Sequence, residues 1–514
     1  MFRLLDSHKS IFIILFFFVF HLFFINLETI NFEHSFSESL FFIINYDINI
    51  LSEYFINNAN TLGFTLIGSF LFKIFPFIKP SIILKIISAS GYLFLGFGII
   101  KLYKNNIFKI SLNKILIIIF LNPLIWTYGF RATPDFIAFS LGFYSIVYLT
   151  YSENIKYKIL LSLIFGFALL IKFHVAFFYI FYFSQVFFFR KKSKHIKSLL
   201  INSFFMSIPL LLYVIIIYFQ FNFFLTHPLY QTYHTTDVLN KVFDVKIDLS
   251  NLDNVNIKNT YSFFINFFIQ YLGYCFLFFG IFVLFDNFKF FIREYNYLKI
   301  IFSLLLFYFA LTNLTLVDYG ELDFGSLTNS VPKNILILFF YTLSFFSFLC
   351  LIFLVKSLRN NKNDLIICSL IYLSIYIIFL SFFRPSQRYL IYLVPIFIFI
   401  YFYYCNYNKL SFWIYIISFS FVNLLILLNH MNTSNTVADI SKYLAKNNLY
   451  EYTHPGTVNP HIRHKFFVSG FNYQTLMKQK KRIYIIDNIQ KNNSIICYQR
   501  GYSFLLKKTC LNYR

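Results

Sequence analysis

The chain has 514 residues, of which 58% are hydrophobic and 23% aromatic, and only 13% are charged. Soluble domains carry about 25% charged residues, so a soluble globular chain is excluded and a polytopic membrane protein is expected. The net charge of +23 would suggest nucleic acid in a soluble protein, but here most Lys and Arg sit in short loops between apolar runs. The positive-inside rule accounts for them there, and no nucleic-acid partner is expected.

Arg3 and Lys9 precede the first apolar stretch, and no small-residue cleavage site follows it. It therefore reads as a retained first membrane helix rather than a signal peptide. The apolar runs predict about thirteen spans of bilayer length. They lie near 10–26, 81–101, 113–129, 134–151, 158–172, 174–189, 200–222, 262–285, 299–316, 334–355, 365–383, 388–405 and 410–429. Basic loops at 101–114, 190–197, 289–299 and 356–362 then fall on the side of the N-terminus, which makes that side cytoplasmic. Residues 57–77 are also apolar, but counting them as a span would put the 101–114 loop outside. They read as an interfacial or re-entrant helix on the outer face, interrupted by Gly63, Gly68 and Pro76.

The outer face holds different material. Its first loop, 27–80, carries Glu28, Glu33, Glu38, Asp47 and Glu53, with no Lys or Arg before Lys73. The turn containing Arg131 and Asp135 is also outer, as are Lys172 with His174, and Arg384 with Arg388. The chain from 431 to 514 is expected to form a small outer α/β domain. Its predicted elements are a helix over 433–446 and strands at 482–487 and 494–498. Cys497 and Cys510 in this region can form a disulfide if it lies outside the cytosol. Cys275, Cys350, Cys368 and Cys405 sit in apolar runs and read as core residues.

An ionisable group at mid-bilayer costs roughly 2.5–3.5 kcal/mol. Carboxylates and cations converging on one membrane face of so apolar a chain therefore mark a functional site. Acids that bind a proton or metal, beside cations that bind phosphate, suit sugar transfer from a lipid-phosphate donor. Each group also has a plainer role. Arg131 and Asp135 can cap two helices, Lys172 can snorkel from a helix end, and Arg384 and Arg388 can anchor at the interface.

Three segments carry a family resemblance. Ala132-Thr-Pro-Asp135-Phe-Ile-Ala-Phe, Gly166-Phe-Ala-Leu-Leu-Ile-Lys172-Phe and Gln387-Arg388-Tyr389-Leu-Ile-Tyr-Leu-Val-Pro395 resemble motifs of the GT-C membrane glycosyltransferases. The nearest branch is that of the protein O-mannosyltransferases and the bacterial lipid A aminoarabinose transferase. The resemblance covers the layout of residues 10–430. It implies an all-α polytopic GT-C fold with outer interfacial helices over 27–80, forming a transmembrane domain at 1–430. It also implies transfer of a sugar from a polyprenyl-phosphate donor to a lipid, glycan or protein acceptor on the outer face of a bacterial inner membrane. An endoplasmic-reticulum membrane with a dolichol donor is the variant of the same reading. Glu33 would be the general base, and Asp135 would position the acceptor or a divalent metal. Lys172, Arg384 and Arg388 would hold the donor phosphate, with Arg131, Glu28, Glu38 and His174 in support. The chain departs from the family in its first loop, where Glu33-His34-Ser-Phe36 replaces an Asp-Glu pair or an acid followed by Tyr. The rival functions are a flippase or transporter for lipid-linked sugars and a polymerase or ligase of lipid-linked glycans. A flippase should carry ionisable groups deep in several helices, whereas these cluster at one face.

Overall fold

The computed structural model describes residues 2–27, 62–105, 110–186, 193–222, 257–280, 341–350, 364–381, 387–398, 409–447, 484–487, 494–501 and 507–513, with a few single positions besides. These residues are predominantly helical and end in a small β-sheet. Among them, three helices are long and apolar enough to cross a membrane: Pro80–Lys104, Ile196–Phe221 and Phe412–Ile440. This is membrane-protein architecture. Several of the expected spans fall wholly or partly outside the described residues, 299–316 and 334–355 among them.

The N-terminal helix α1 (Phe2–Leu22) is followed by α2 (Gly63–Ile74) and α3 (Pro80–Lys104). At 12 residues, α2 is only about 18 Å long at 1.5 Å per residue, too short to span. Leu66, Phe70 and Ile74 are exposed on it, and Phe75 and Phe77 beyond its end. The exposed aromatic surface fits the expected interfacial helix.

The expected span 113–129 is broken. Helix α4 (Leu112–Leu121) meets α5 (Pro123–Gly129) at a 67° bend. Pro123 lacks the N–H that would continue α4, and it disfavours helical backbone at Asn122. The Asn122 side chain then caps α5 by accepting a hydrogen bond from the Leu124 amide at 3.1 Å. Helix α6 (Pro134–Tyr151) starts at Pro134, with Thr133 extended before it. Helix α7 (Ile155–Ile171) is capped by Asn154, which accepts from the Lys156 amide at 3.0 Å. It stops where Lys172 becomes extended. The next element is not one helix: a 3-10 turn, Phe173–Ala176, leads into the short α8 (Phe177–Ser184). Helix α9 (Ser193–Phe221), α10 (Ile257–Cys275) and α11 (Asp364–Leu380) follow. A 3-10 segment, Gln387–Leu393, comes after α11.

Helices α3 and α6 run side by side in the same direction. Gly91 faces Phe136 and Ser140, and one stretch further along Gly98 faces Phe143. A Cβ at Gly91 would lie only 2.9 Å from the Phe136 ring, so glycine is what lets these helices approach. The core is a continuous apolar cluster running from α1 through α3 to α7 and on to α11 and the Gln387–Leu393 segment.

The last helix differs from expectation. The span 410–429 and the helix 433–446 are a single α12 (Lys409–Lys446), which runs unbroken through the expected domain boundary at 430/431. Tyr415 Oη donates to the Ile118 carbonyl at 2.9 Å, and Asn423 Nδ2 donates to the Leu121 carbonyl at 2.9 Å. The free carbonyls at the α4–α5 break are thus used to hold α12.

The sheet contains β1 (Tyr484–Asp487), β2 (Ser494–Arg500) and β3 (Lys507–Tyr513) in the order β1-β3-β2, antiparallel throughout. Two strands were expected; the central β3 was not, because Lys507, Lys508 and Asn512 interrupt its apolar alternation. Cys497 and Cys510 are directly opposed across β2 and β3 and form a disulfide. Arg500 on β2 grips Asp439 of α12 through two hydrogen bonds, at 2.7 and 3.0 Å. Replacing both cysteines by serine is expected to destabilise this sheet by roughly 2–3 kcal/mol. Hydrogen exchange of the β2 and β3 amides would report it; unchanged protection would contradict it.

Candidate functional site

The site forms where the α5–α6 turn, the end of α7 and the Gln387–Leu393 segment meet. Phe130–Thr133 link α5 to α6, and every residue from Phe130 to Asp135 is buried. Asp135 lies in the first turn of α6, where the helix N-terminus favours a carboxylate. Lys172 lies just past the end of α7. Its Nζ is 3.3 Å from Asp135 Oδ1, with side-chain exposures of 8% and 1%. An ion pair so removed from water is weakly screened, so its charges act strongly on neighbouring groups. Beyond this pair, the Asp135 oxygens accept no hydrogen bond among the described residues.

Two more cationic or titratable groups frame the pair. The Arg388 guanidinium lies 4.9 Å from the centre of the Tyr389 ring, and its Nη2 donates to Tyr389 Oη at 3.0 Å. Lys172 Nζ lies 5.7 Å from the same ring. The His174 ring stacks on Tyr389 from another side, at 4.4 Å and 12°. Tyr389 is thus the surface on which Lys172, His174 and Arg388 are gathered. Lys172 and Arg388 both act electrostatically on the Asp135 carboxylate.

Four of the residues singled out from sequence therefore come together: Asp135, Lys172, His174 and Arg388. Glu28, Glu33, Glu38 and Arg384 lie outside the described residues. Arg131 is fully buried, with its guanidinium 5.8 Å from the Tyr128 ring. The ion pair of Asp135 is with Lys172. Arg131 precedes α6 in the turn, whereas Asp135 is on the helix and faces the end of α7.

Other polar groups were not anticipated. Lys85 is completely buried in α3, and its Nζ donates to the Leu27 carbonyl. Lys85 precedes Gly91 by about the interval that separates Arg131 from Phe136, so it lies level with the Arg131 turn. The signal was available, since Lys85 is the one cation inside the apolar run 81–100. His21 of α1 is also fully buried, with Nδ1 2.8 Å from the Phe17 carbonyl and Nε2 3.0 Å from Tyr92 Oη. Its ring packs on Trp126 and Phe130 beneath the turn. On the far side, His430 of α12 meets Phe130 edge-on at 5.1 Å. The turn is thus clamped between α1 and α12.

Among the described residues, no three His, Cys, Asp or Glu side chains form a group able to hold a metal ion. Asp135 already has a cation beside it in Lys172. No family model matches the chain, and neither a curated protein nor a solved structure does.

Proposed function

We propose that the protein is a membrane glycosyltransferase of GT-C type. It would transfer a sugar from a polyprenyl-phosphate donor to a hydroxyl of a lipid, glycan or protein acceptor. The observation that carries this reading is the buried Asp135–Lys172 pair with Arg388 beside it. A carboxylate and two cations in low dielectric match the charges that such a transfer creates.

In the reaction, an acceptor oxygen bonds to the anomeric carbon while the bond from that carbon to the phosphate oxygen breaks. The polyprenyl phosphate leaves with the electron pair, and the acceptor proton passes to a carboxylate. Glu33 is the proposed base. Asp135 positions the acceptor hydroxyl, because an ionised carboxylate is an acceptor only. Lys172 has three N–H donors. One is directed at Asp135, which leaves others for the departing phosphate together with Arg388 and Arg384. Tyr389, on which His174 stacks, holds Lys172 and Arg388 in place over its ring.

We place the site on the outer face of a bacterial inner membrane, with the N-terminus inside and the C-terminus outside. Support comes from the loop charges and from the Cys497–Cys510 disulfide, which belongs in an oxidising compartment. The test is mass spectrometry of cellular glycolipids and glycoproteins with and without the gene, and with Glu33→Gln. A glycan species should disappear in both the deletion and the variant. Topology reporters at residues 195 and 480 should read inside and outside. Identical glycan profiles, or a cytoplasmic 480, would overturn the proposal.

A further inference from the structure

Tyr392 is fully buried, and its hydroxyl makes no hydrogen bond among the described residues. Its neighbours behave differently. Tyr372 Oη donates to the Tyr392 carbonyl at 3.1 Å, and Tyr376 Oη donates to the Tyr389 carbonyl at 3.0 Å. Those two hydroxyls fasten the Gln387–Leu393 segment to α11. The Tyr392 hydroxyl fastens nothing among the described residues.

Packing does not explain it. The Tyr392 ring meets Phe139 edge-on at 5.7 Å and Phe178 at 5.8 Å, and lies 5.9 Å from the His174 ring. A phenylalanine would make the same ring contacts without burying an unpaired hydroxyl, which is unfavourable. Phe139 is one helical turn beyond Asp135 and on the same face of α6. The Tyr392 ring thus sits against the face of α6 that carries Asp135 and beside His174. The buried hydroxyls of Thr127, Thr133, Ser140 and Ser145 also make no hydrogen bond among the described residues, and Thr133 does not cap α6.

We propose that the Tyr392 hydroxyl binds substrate, donating a hydrogen bond to a hydroxyl group of the transferred sugar beside the Asp135–Lys172 pair. The chemistry is complementary. Asp135 can only accept, the phenol can donate, and a sugar hydroxyl does both at once. An anionic group is the less fitting partner, since Asp135 would repel it and the cations Lys172 and Arg388 serve it better. The inference rests on the glycosyltransferase reading and names a binding residue within it.

The test uses the full chain in lipid nanodiscs as wild type, Tyr392→Phe, Tyr372→Phe and Tyr376→Phe. Thermal unfolding is measured without ligand. Binding is then measured for undecaprenyl phosphate and for undecaprenyl-phosphate mannose and glucose. Wild type should prefer a sugar-bearing lipid to the bare phosphate. Tyr392→Phe should keep its affinity for the bare phosphate and lose about 5–10-fold for the sugar-bearing lipid. Its unfolding temperature should be unchanged or raised, whereas Tyr372→Phe and Tyr376→Phe should unfold at lower temperature. A Tyr392→Phe protein that is destabilised like those controls, or that keeps the full sugar preference, overturns the inference. So does a wild type that binds all three lipids equally. A wild type that binds none of them overturns the donor assignment itself.

Discussion

Asp135→Asn is expected to reduce sugar transfer by at least about 100-fold, the order of loss seen when a reacting group is no longer held in position. The same substitution leaves Lys172 buried without its counter-charge, and breaking such a pair from one side costs roughly 3–5 kcal/mol. Loss of activity in the single variant is therefore ambiguous, because part of the protein could simply unfold. The double variant Asp135→Leu with Lys172→Met separates the two effects. Removing both charges avoids the unpaired ion, and apolar replacements of buried pairs are often neutral or stabilising. The double variant should then regain the thermal stability of the wild type and remain inactive. Activity measured in membranes alongside unfolding temperature decides the matter. A double variant that is both stable and active would show that the pair is only a structural staple.

Gly63→Ala is expected to damage the site from a distance, lowering transfer by up to about 100-fold if Lys172 moves by 1 Å. A Cβ at Gly63 would lie 2.3 Å from the Leu170 carbonyl oxygen, 2.4 Å from its carbon and 2.8 Å from the Ile171 amide nitrogen. All three are backbone atoms, so no side-chain rotation relieves the collision. Either α2 or the end of α7 has to shift, and the residue after Ile171 is Lys172. The preceding amide, Leu62, is itself tied to Tyr213 Oη at 3.4 Å, which restrains α2 from yielding. Gly166→Ala is the companion. Its Cβ would lie 2.3 Å from the Met206 carbonyl oxygen, but six residues before Lys172 in the chain, on the face toward α9. Both variants should lose stability; the larger fall in transfer relative to folded protein should come from Gly63→Ala. Equal falls would mean that α2 does not position Lys172.

Much of the site was legible because charge is rare in this chain. Asp135, Lys172 and Arg388 stand out as ionisable groups at the ends of apolar runs, and each was marked for that reason. Their arrangement was less legible. Asp135 and Lys172 are far apart in sequence, and the helix start at Pro134 turns Asp135 toward the end of α7. Tyr392 stands inside the Gln387–Pro395 motif, but nothing in the sequence tells whether the hydroxyl of one tyrosine among 40 finds a partner. Lys85 was visible but overlooked, because a lysine within a turn or two of a helix start is commonly a snorkelling residue. The tail shows the same division. Its two apolar strands were readable by alternation, but β3 is held by pairing on both sides and by a cross-strand disulfide, which local pattern does not reveal.

The sequence by itself determined that this is an apolar, helical chain with most of its charge in loops and near helix ends. Composition and hydrophobic runs suffice for that, since a bilayer admits few alternatives for a backbone that must satisfy its own hydrogen bonds. The break at Pro123 was not read from the sequence, since 113–129 was expected as one span, although it and the helix start at Pro134 follow from proline's missing N–H. Only the tertiary structure decided which charges meet. Asp135 joins Lys172, and Tyr389 gathers Lys172, His174 and Arg388. The Tyr392 hydroxyl makes no hydrogen bond among the described residues. Such contacts depend on helix rotation and the approach of distant segments, here set by Gly63 and Gly91, and no local pattern in the chain encodes them.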